Sequence, residues 1–542
     1  MSLHYARPGK AINIRYTTLL PVVIPVVLLV TAAYIQWVTV GLPELPPVPE
    51  AVHEPQGFPA WLRITHFINL LFLVLLIRSG LQILMDHPRL YWNVHCTPGT
   101  EWLRLTSVEI SPDHIWTAKE DSRYLSPWAG LPGYRHTIGM ARHWHFLSVL
   151  FWVANGMIYV ILLFGTGEWR RLVPDSWQIL PDAWAIFAHY ATFHPPPEPD
   201  SFYRYNALQQ LVYFAVVFVL APLAIVTGPS MSPALTNRFR WYPRLPGNRQ
   251  IGRSIHFFIM CGFIFFLVIH VAIVTLTGLV RNMNHIVLGV NTSEITGTYL
   301  GMAGIGFVIV MNALANWTAW RYPRALQHLA KGIVTPVMAF LLGRAAPYAE
   351  FHQKDISPFL WANGKVPACN EWKSLAIDNF RSYRLKVYGL VNNPVELSLE
   401  ELQTMGKKTQ ITLHHCIQGW SGIAAWGGLP LATLIQLVQP KPEARAVVFY
   451  SFGEGAAGGR FYDSLPIENA LHQQTLLAYE MNYSPLTILH GAPLRLRVEN
   501  QLGFKMVKWI EAIEFVEDIK TIGKGEGGYN EDNEYFGELA NI

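Results

Sequence analysis

Six long apolar runs in the first three-fifths of the chain constrain its fold more than any other feature. They lie at 17–40, 61–85, 144–165, 206–228, 254–278 and 298–320. A helix rises about 1.5 Å per residue, so each run can cross roughly 30 Å of hydrocarbon with its backbone groups paired internally. Composition agrees: of 542 residues, 51% are hydrophobic and 14% charged, against about 25% charged in soluble domains. The apolar piece 332–343 is too short to span. No comparable run follows, and the remainder reads as a soluble α+β domain with short strands such as Arg445–Tyr450 and Leu494–Glu499. The expected fold class is therefore an α-helical transmembrane bundle of about six spans followed by a soluble α+β domain. The expected boundaries are 1–54 for a tail, an extra helix and a Pro-rich loop, 55–325 for the main bundle, 326–350 for a linker and 351–542 for the soluble part.

Basic residues alternate between the loops. The tail carries Arg7, Lys10 and Arg15, loop 86–143 carries Arg89, Arg104, Lys119, Arg123, Arg135 and Arg142, and loop 229–253 carries Arg238, Arg240, Arg244, Arg249 and Arg253. Loop 41–60 has no Lys or Arg. The positive-inside rule then places both termini, and the soluble domain, in the cytoplasm of a bacterium whose inner membrane holds the spans; a periplasmic soluble domain is the alternative. No short signal peptide or twin-arginine pair precedes the first run, so export by the twin-arginine route is not expected. The net charge of +4 gives no reason to expect a nucleic-acid partner. The four cysteines, Cys96, Cys261, Cys369 and Cys416, form no CxxC pair, which argues against an iron–sulfur cluster or structural zinc.

Ionisable residues inside spans are functional candidates. His66 starts the second span, His145 starts the third, and His256 and His270 lie fourteen residues apart on the fifth. Fourteen residues is almost four turns, so both face one side, roughly 21 Å apart. Given the alternating span directions, His66 and His270 share the outer level, and His145 and His256 the inner one. A lone membrane histidine is as readily a packing residue as a ligand; four that pair by depth read as two bis-imidazole haem sites. Gly80, Gly156 and Gly262 would let porphyrins approach the helices. His143 competes with His145 and reads as a loop-edge residue. His189, His194 and His285 in outer loops, and His87, His95, His114 and His136 in the inner loop, read as solvated surface.

On these four histidines the portion from about 55 to 325 resembles the di-haem cytochrome b family that serves formate dehydrogenases and nickel hydrogenases as membrane subunit. The resemblance implies two b haems and electron exchange with a quinone. The span at 17–40 is an extra element with no expected role beyond anchoring.

In the soluble part, Cys416 follows the strand-like ITLHH and precedes a Gly/Trp-rich turn, a position that suits a thiolate ligand or a buried packing residue. Downstream lie LLAYEMN (476–482), HGAPLRLRVEN (490–500) and GFKMVKWI (503–510), after ISPFLWANGKVP and YRLKVYGLVNNPVELSLEEL. This ordered set resembles the sulfite oxidase family of molybdenum enzymes, which includes the bacterial methionine sulfoxide reductase catalytic subunit. The resemblance implies a molybdopterin domain with Cys416 as the molybdenum thiolate, Ser451 as a pterin-contacting hydroxyl, and His490, Arg495 and Lys508 on the pterin phosphate and ring. A dianionic phosphate wants an arginine fork and a lysine charge. Backbone donors at Met506 and Val507 are expected to complete the cradle, and Phe359 to Asn363 to form a wall. Where sulfite-oxidising members carry an arginine before the cysteine, His414 and His415 stand here, and Ala362 replaces a second arginine, so a dedicated sulfite pocket is not expected. Arg460 is a candidate substrate cation and Tyr529 a candidate residue over the metal.

The combined expectation is a quinone-linked molybdenum oxidoreductase acting by oxygen-atom transfer on a small S-oxide, N-oxide or sulfite, in contact with membrane lipid and with a homodimer as a candidate assembly. The alternative is a one-electron membrane cytochrome, passing charge between quinone and a partner such as superoxide, with the molybdenum domain as accessory.

Overall fold

The computed structural model describes residues 13–47, 57–108, 118–134, 138–196, 202, 205–239, 241–342 and 350–537. Arg7, Lys10, Arg135, Arg240, His114 and His136 lie outside these. All six runs form helices: α1 (Tyr16–Thr39), α2 (Ala60–Leu84), α3 (Ile138–Gly165), then, after the short α4 (Ile179–Ala191), α5 (Ala207–Ser230), α6 (Arg249–Leu276) and α7 (Thr296–Arg321). Each is long and apolar enough to cross a membrane.

Two of these helices begin before their apolar runs do. Asn248 caps α6, its side chain accepting from the backbone of Gln250 and Ile251, so the helix starts at the arginine-bearing turn rather than at the first continuous apolar residue. In α3, Met140 and Ala141 of the polar first turns are buried, so packing holds helix that hydropathy alone does not mark. Past the sixth span, α8 (Pro323–Leu342) occupies most of the expected linker. Within α5 a π-helical turn at Ala215–Leu220 breaks the regular ladder.

The soluble domain is built on two sheets. One runs in the order β2 (Val395–Ser398), β1 (Arg384–Gly389), β9 (Ile510–Val516), β5 (Ala446–Glu454) and β6 (Arg460–Pro466), with β9 parallel to β1 and the other pairs antiparallel. The other joins β3 (Lys408–His415), β4 (Ser421–Pro430) and β7 (Thr475–Met481), with β8 (Arg495–Val498) also paired to β7. Leu429, Val447, Phe449, Leu477, Leu496, Ile513 and Phe515 fill the space between the sheets. Each fully buried side chain of this size contributes about 1.5–3 kcal/mol.

This domain docks on the end of the bundle where α3 and α6 begin. Tyr91, Cys96, Ala118 and Ile138 of the membrane part share one apolar cluster with Trp361, Cys416, Ile417, Trp420, Leu502 and Phe536. Ala118 N donates to Ala362 O at 2.8 Å, Trp361 Nε1 to Cys96 O at 2.5 Å, and Gln250 Nε2 to Gly419 O at 3.0 Å. The C-terminal segment straps across the junction: Arg324 donates to Glu531 O at 3.0 Å and Asp532 O at 2.6 Å, and Lys119 pairs with Glu534 at 2.6 Å.

Candidate active site

The β3–β4 hairpin carries Cys416 at its tip. Cys416 N donates to Trp420 O and Gly419 N to Cys416 O, both at 3.1 Å. Gly419 has φ +106°, a conformation that glycine adopts without strain. The hairpin points at the membrane domain, and Cys416 lies 4% exposed at a cavity of about 340 Å³. Burial pushes its thiol up to about 12. A bare thiol there stays protonated at neutral pH, and a coordinated cation is what makes it a thiolate. Gln418 supports the turn: its Oε1 accepts from Trp420 Nε1 at 3.1 Å and Asn363 Nδ2 at 3.3 Å.

Of the residues expected at this site, Cys416, Asn363, Ser451, His490, Arg495, Met506 and Lys508 line the cavity together. Arg495 and Lys508 carry its charge. Burial, then Arg497, drives Arg495 well below the usual guanidinium range, despite Glu499; burial, then Arg495, drives Lys508 well below the ammonium range. Arg495 donates to His490 O at 3.0 Å, while its Nε has no partner among the described residues; Lys508 donates to Leu489 O at 2.9 Å. Two buried cations held by neutral carbonyls form a seat for a dianion, which fits the phosphate of a pterin cofactor. His490 is lowered to about 4 by burial, with the Leu360 carbonyl opposing and Lys508 and Arg495 adding to the shift.

Several expected residues are tied into the surrounding fold. Ser451 Oγ donates to Lys508 O at 2.7 Å and accepts from Gly453 N at 2.9 Å. Met506 N and Val507 N both donate at 3.2 Å, to Gly503 O and Lys505 O, so the turn itself uses the backbone donors expected to serve the cradle. Val507 packs in the core. Phe359 stacks edge-on against Trp361, while residues 360–363 face the cavity. Arg460 lies away from the cavity lining, 2.7 Å from Glu511 and over the Tyr450 ring. Tyr529 OH accepts from Ala457 N and donates to Gly458 O, both at 2.8 Å, so it pins the glycine loop rather than overhanging Cys416.

Sequence reasoning missed Arg497. It shares a strand face with Arg495, two residues away, and that alternation was the available signal. Glu499 neutralises it through two 2.8 Å contacts, and its Nη1 lies 3.0 Å from His414 Nδ1. Asp86, Lys119, Glu120 and Ile138 of the membrane domain and Glu534 and Phe536 of the strap also line the cavity. No local signal marks these.

The outer membrane histidines meet as their depths require, and the inner two lie within electrostatic reach of each other. His66 and His270 have ring centroids 6.3 Å apart. An iron about 2 Å from each imidazole nitrogen, with the ring radii added, spans roughly that distance. Ser79 donates to Leu75 O at 2.7 Å, leaving its oxygen to accept from His145 Nδ1 at 3.1 Å. Thr227 likewise donates to Leu223 O at 2.7 Å and accepts from His256 Nδ1 at 2.9 Å. Both inner imidazoles therefore hold their proton on Nδ1 and present the Nε2 lone pair, the arrangement a metal ligand needs. His143 instead binds Tyr535 O at 2.9 Å. A Cβ on Gly80 would touch the His145 ring at 3.5 Å, whereas Gly262 meets Leu220 of α5 and Gly156 meets nothing within 4 Å. Two histidines expected at the surface are buried. His87 is 0% exposed beside Tyr91 and Trp361, and His285 is 2% exposed against Phe202 and Asn291.

Family comparison agrees with both halves. Residues 57–288 match the prokaryotic cytochrome b561 family and residues 372–521 the oxidoreductase molybdopterin binding domain. A candidate protein-methionine-sulfoxide reductase subunit, YedZ1, from Azospira oryzae is 35% identical over 154 residues, 28% of this chain and 54% of that protein. The catalytic subunit of protein-methionine-sulfoxide reductase, MsrP, from Xanthomonas axonopodis is 33% identical over 25% of this chain and 46% of its own length. An uncharacterized oxidoreductase, YuiH, from Bacillus subtilis is 31% identical over 26% of this chain and 69% of its own. The chain thus spans about half the length of the first two of these relatives. With a cytochrome b561 bundle joined to a Cys416-centred cavity that fits molybdenum-pterin, the chain belongs to the sulfite oxidase-type molybdopterin oxidoreductases, carried here on a haem b membrane domain.

Proposed function

We propose that this protein is a membrane-bound molybdenum oxidoreductase that exchanges electrons with the quinone pool through two b haems while acting on a small S-oxide, N-oxide or sulfite. Molybdenum-pterin, when bound, supplies two-electron oxygen-atom chemistry. The chain's own residues do the rest. Cys416 provides the thiolate, Arg495 and Lys508 receive the phosphate, and the four membrane histidines present paired imidazoles at two levels.

The observation that carries this reading is the path of α3. Ile138 lines the Cys416 cavity, and His145 lies seven residues further along the same helix, a rise of about 10 Å. No separate carrier is needed over such a span. The cavity walls favour a small substrate. Asp86, Lys119 and Glu120 of the membrane domain and Glu534 of the strap stand opposite the molybdopterin domain's own residues, so a side chain on a folded protein meets a second wall. An S-oxide is the first choice because relatives are named for methionine sulfoxide in proteins. The docking face belongs to the arginine-rich loop ends, which supports a cytoplasmic position for the domain.

The test is metal and haem analysis of purified protein, followed by haem absorbance during a screen of free and peptide-bound S-oxides, N-oxides and sulfite. One molybdenum and two haems per chain, with reoxidation by a free S-oxide or N-oxide or reduction by sulfite, are expected. Cys416→Ser should abolish the substrate-driven change and keep the haem spectrum; full retention of that change would refute the assignment.

A further inference from the structure

A layer of cations lies between the Cys416 turn and the inner histidine pair, and the mechanism above leaves it without a task. On α3, Ile138, Arg142 and His145 stand at i, i+4 and i+7, one face of the helix. On α6, Arg249, Arg253 and His256 repeat the spacing. Both stripes run from the soluble domain to an imidazole.

Among the described residues these cations have no anionic partner within hydrogen-bond distance. Arg249 donates to Met231 O at 2.9 Å and Trp420 O at 3.3 Å, and Arg253 to Arg89 O and His87 O, both at 2.8 Å. All four acceptors are neutral carbonyls. Arg142 lies over the Phe146 ring at 5.1 Å, and its guanidinium makes no hydrogen bond or ion pair among the described residues. Arg142 and Arg249 are within electrostatic reach of each other and of Cys416, and Arg142 is within reach of His145. Asp86 is the carboxylate within reach of Arg253. Among the described residues, three cations against one carboxylate leave about two positive charges unmatched beside an imidazole pair. Buried charge of that kind is retained where an anion arrives to meet it.

We propose that Arg142 and Arg249, backed by Arg253, form the seat for the two propionate carboxylates of the haem that His145 and His256 would hold. This rests on the haem reading above. It adds that the carboxylate edge of that haem faces the Cys416 turn, with Arg142 between the two centres. Arginine suits the role because its fork matches a carboxylate and it does not deprotonate.

The experiment uses the full chain in detergent, stripped of haem and refilled with haem b or its dimethyl ester, whose propionates carry no charge. In the unaltered chain the ester should bind one of the two sites at least about tenfold more weakly than haem b. In the Arg142→Gln, Arg249→Gln double variant that discrimination should vanish at the same site. Arg142→Lys, which keeps the charge, should retain most of it and guards against a fold defect. In optical redox titration, Arg142→Gln should shift one haem's one-electron equilibrium about tenfold toward the oxidised form, about 59 mV downward, because a nearby cation favours the reduced state. An ester penalty that survives in the double variant, or two unmoved haem transitions, overturns the seat. Dependence on anionic lipid with an unchanged ester penalty also overturns it, since the arginines would then serve headgroups. A chain that takes up no haem in any form removes the haem reading itself.

Discussion

Replacing Arg495 by methionine should move stability in opposite directions with and without the pterin cofactor. Methionine approximates the volume of the arginine stem, so the change removes charge more than packing. Without cofactor, Arg495 is 6% exposed beside Lys508, has an orphaned Nε and holds one neutral carbonyl at 3.0 Å. Its loss forfeits about 0.5–1.5 kcal/mol of hydrogen bonding and relieves a buried, poorly matched cation. Exchanging buried ion pairs for well-packed apolar side chains is neutral or stabilises by about 1–4 kcal/mol, and a poorly matched single cation is taken at the lower part of that range. The net gain is about 1–2 kcal/mol, and for a domain of this size each kcal/mol is worth about 2–4 °C. With cofactor the sign reverses. An arginine fork on the proposed phosphate would make two charge-assisted bonds at about 1.5–3 kcal/mol each, so their loss should weaken retention roughly a hundredfold or more. Melting of full-length protein from cofactor-deficient and cofactor-competent hosts, with molybdenum content measured alongside, reads both arms. Equal destabilisation of both forms would show that Arg495 is a packing residue and refute the dianion seat.

Thr227→Val removes the acceptor for His256 Nδ1 and leaves a buried donor unmet; haem retention at one site should fall about 10–100-fold, read by the Soret band after dilution, and unchanged retention counts against ligation through Nε2. His490, lowered to about 4 by burial, stays neutral in the fold while the unfolded chain takes up its proton near pH 6.5. The stability this provides is complete above pH 6.5 and falls as pH drops toward 4, by about 2 kcal/mol at pH 5; His490→Gln should flatten that part of the denaturation profile. Arg324→Ala deletes the donors to Glu531 O and Asp532 O; the strap should then be cut faster by protease with little change in the helical circular dichroism of the bundle. Equal cleavage rates would mean that the remaining contacts, the Lys119–Glu534 pair and the packing of Phe536 among them, hold it.

Much of the site was legible because it rests on local rules. Hydropathy sums over neighbouring residues, so all six spans were readable to within about six residues of their starts. The depths of His66, His145, His256 and His270 follow from rise per residue and the direction of each span. Cys416, His490, Arg495 and Lys508 stood out through ordered motifs. Roles that depend on a side chain's reach were harder. Tyr529 and Arg460 carry plausible chemistry for an active site, but one is tied to the carbonyl of Gly458 and the other to Glu511. Met506 and Val507 lie at the right place in the chain, yet their N–H groups close a tight turn.

The helical anchor, the level of each membrane histidine and the ordered motifs around Cys416 were thus written in short-range pattern, because helix geometry and hydrophobicity act over tens of residues at most. The joining of the two halves was not. That Ile138 and Asp86 share a cavity with Cys416, that His87 is sealed beneath Trp361, and that Glu534 returns to meet Lys119 depend on two surfaces fitting across roughly 270 to 415 residues of intervening chain. Such contacts arise from shape and charge matched in three dimensions, which no window of neighbouring residues contains.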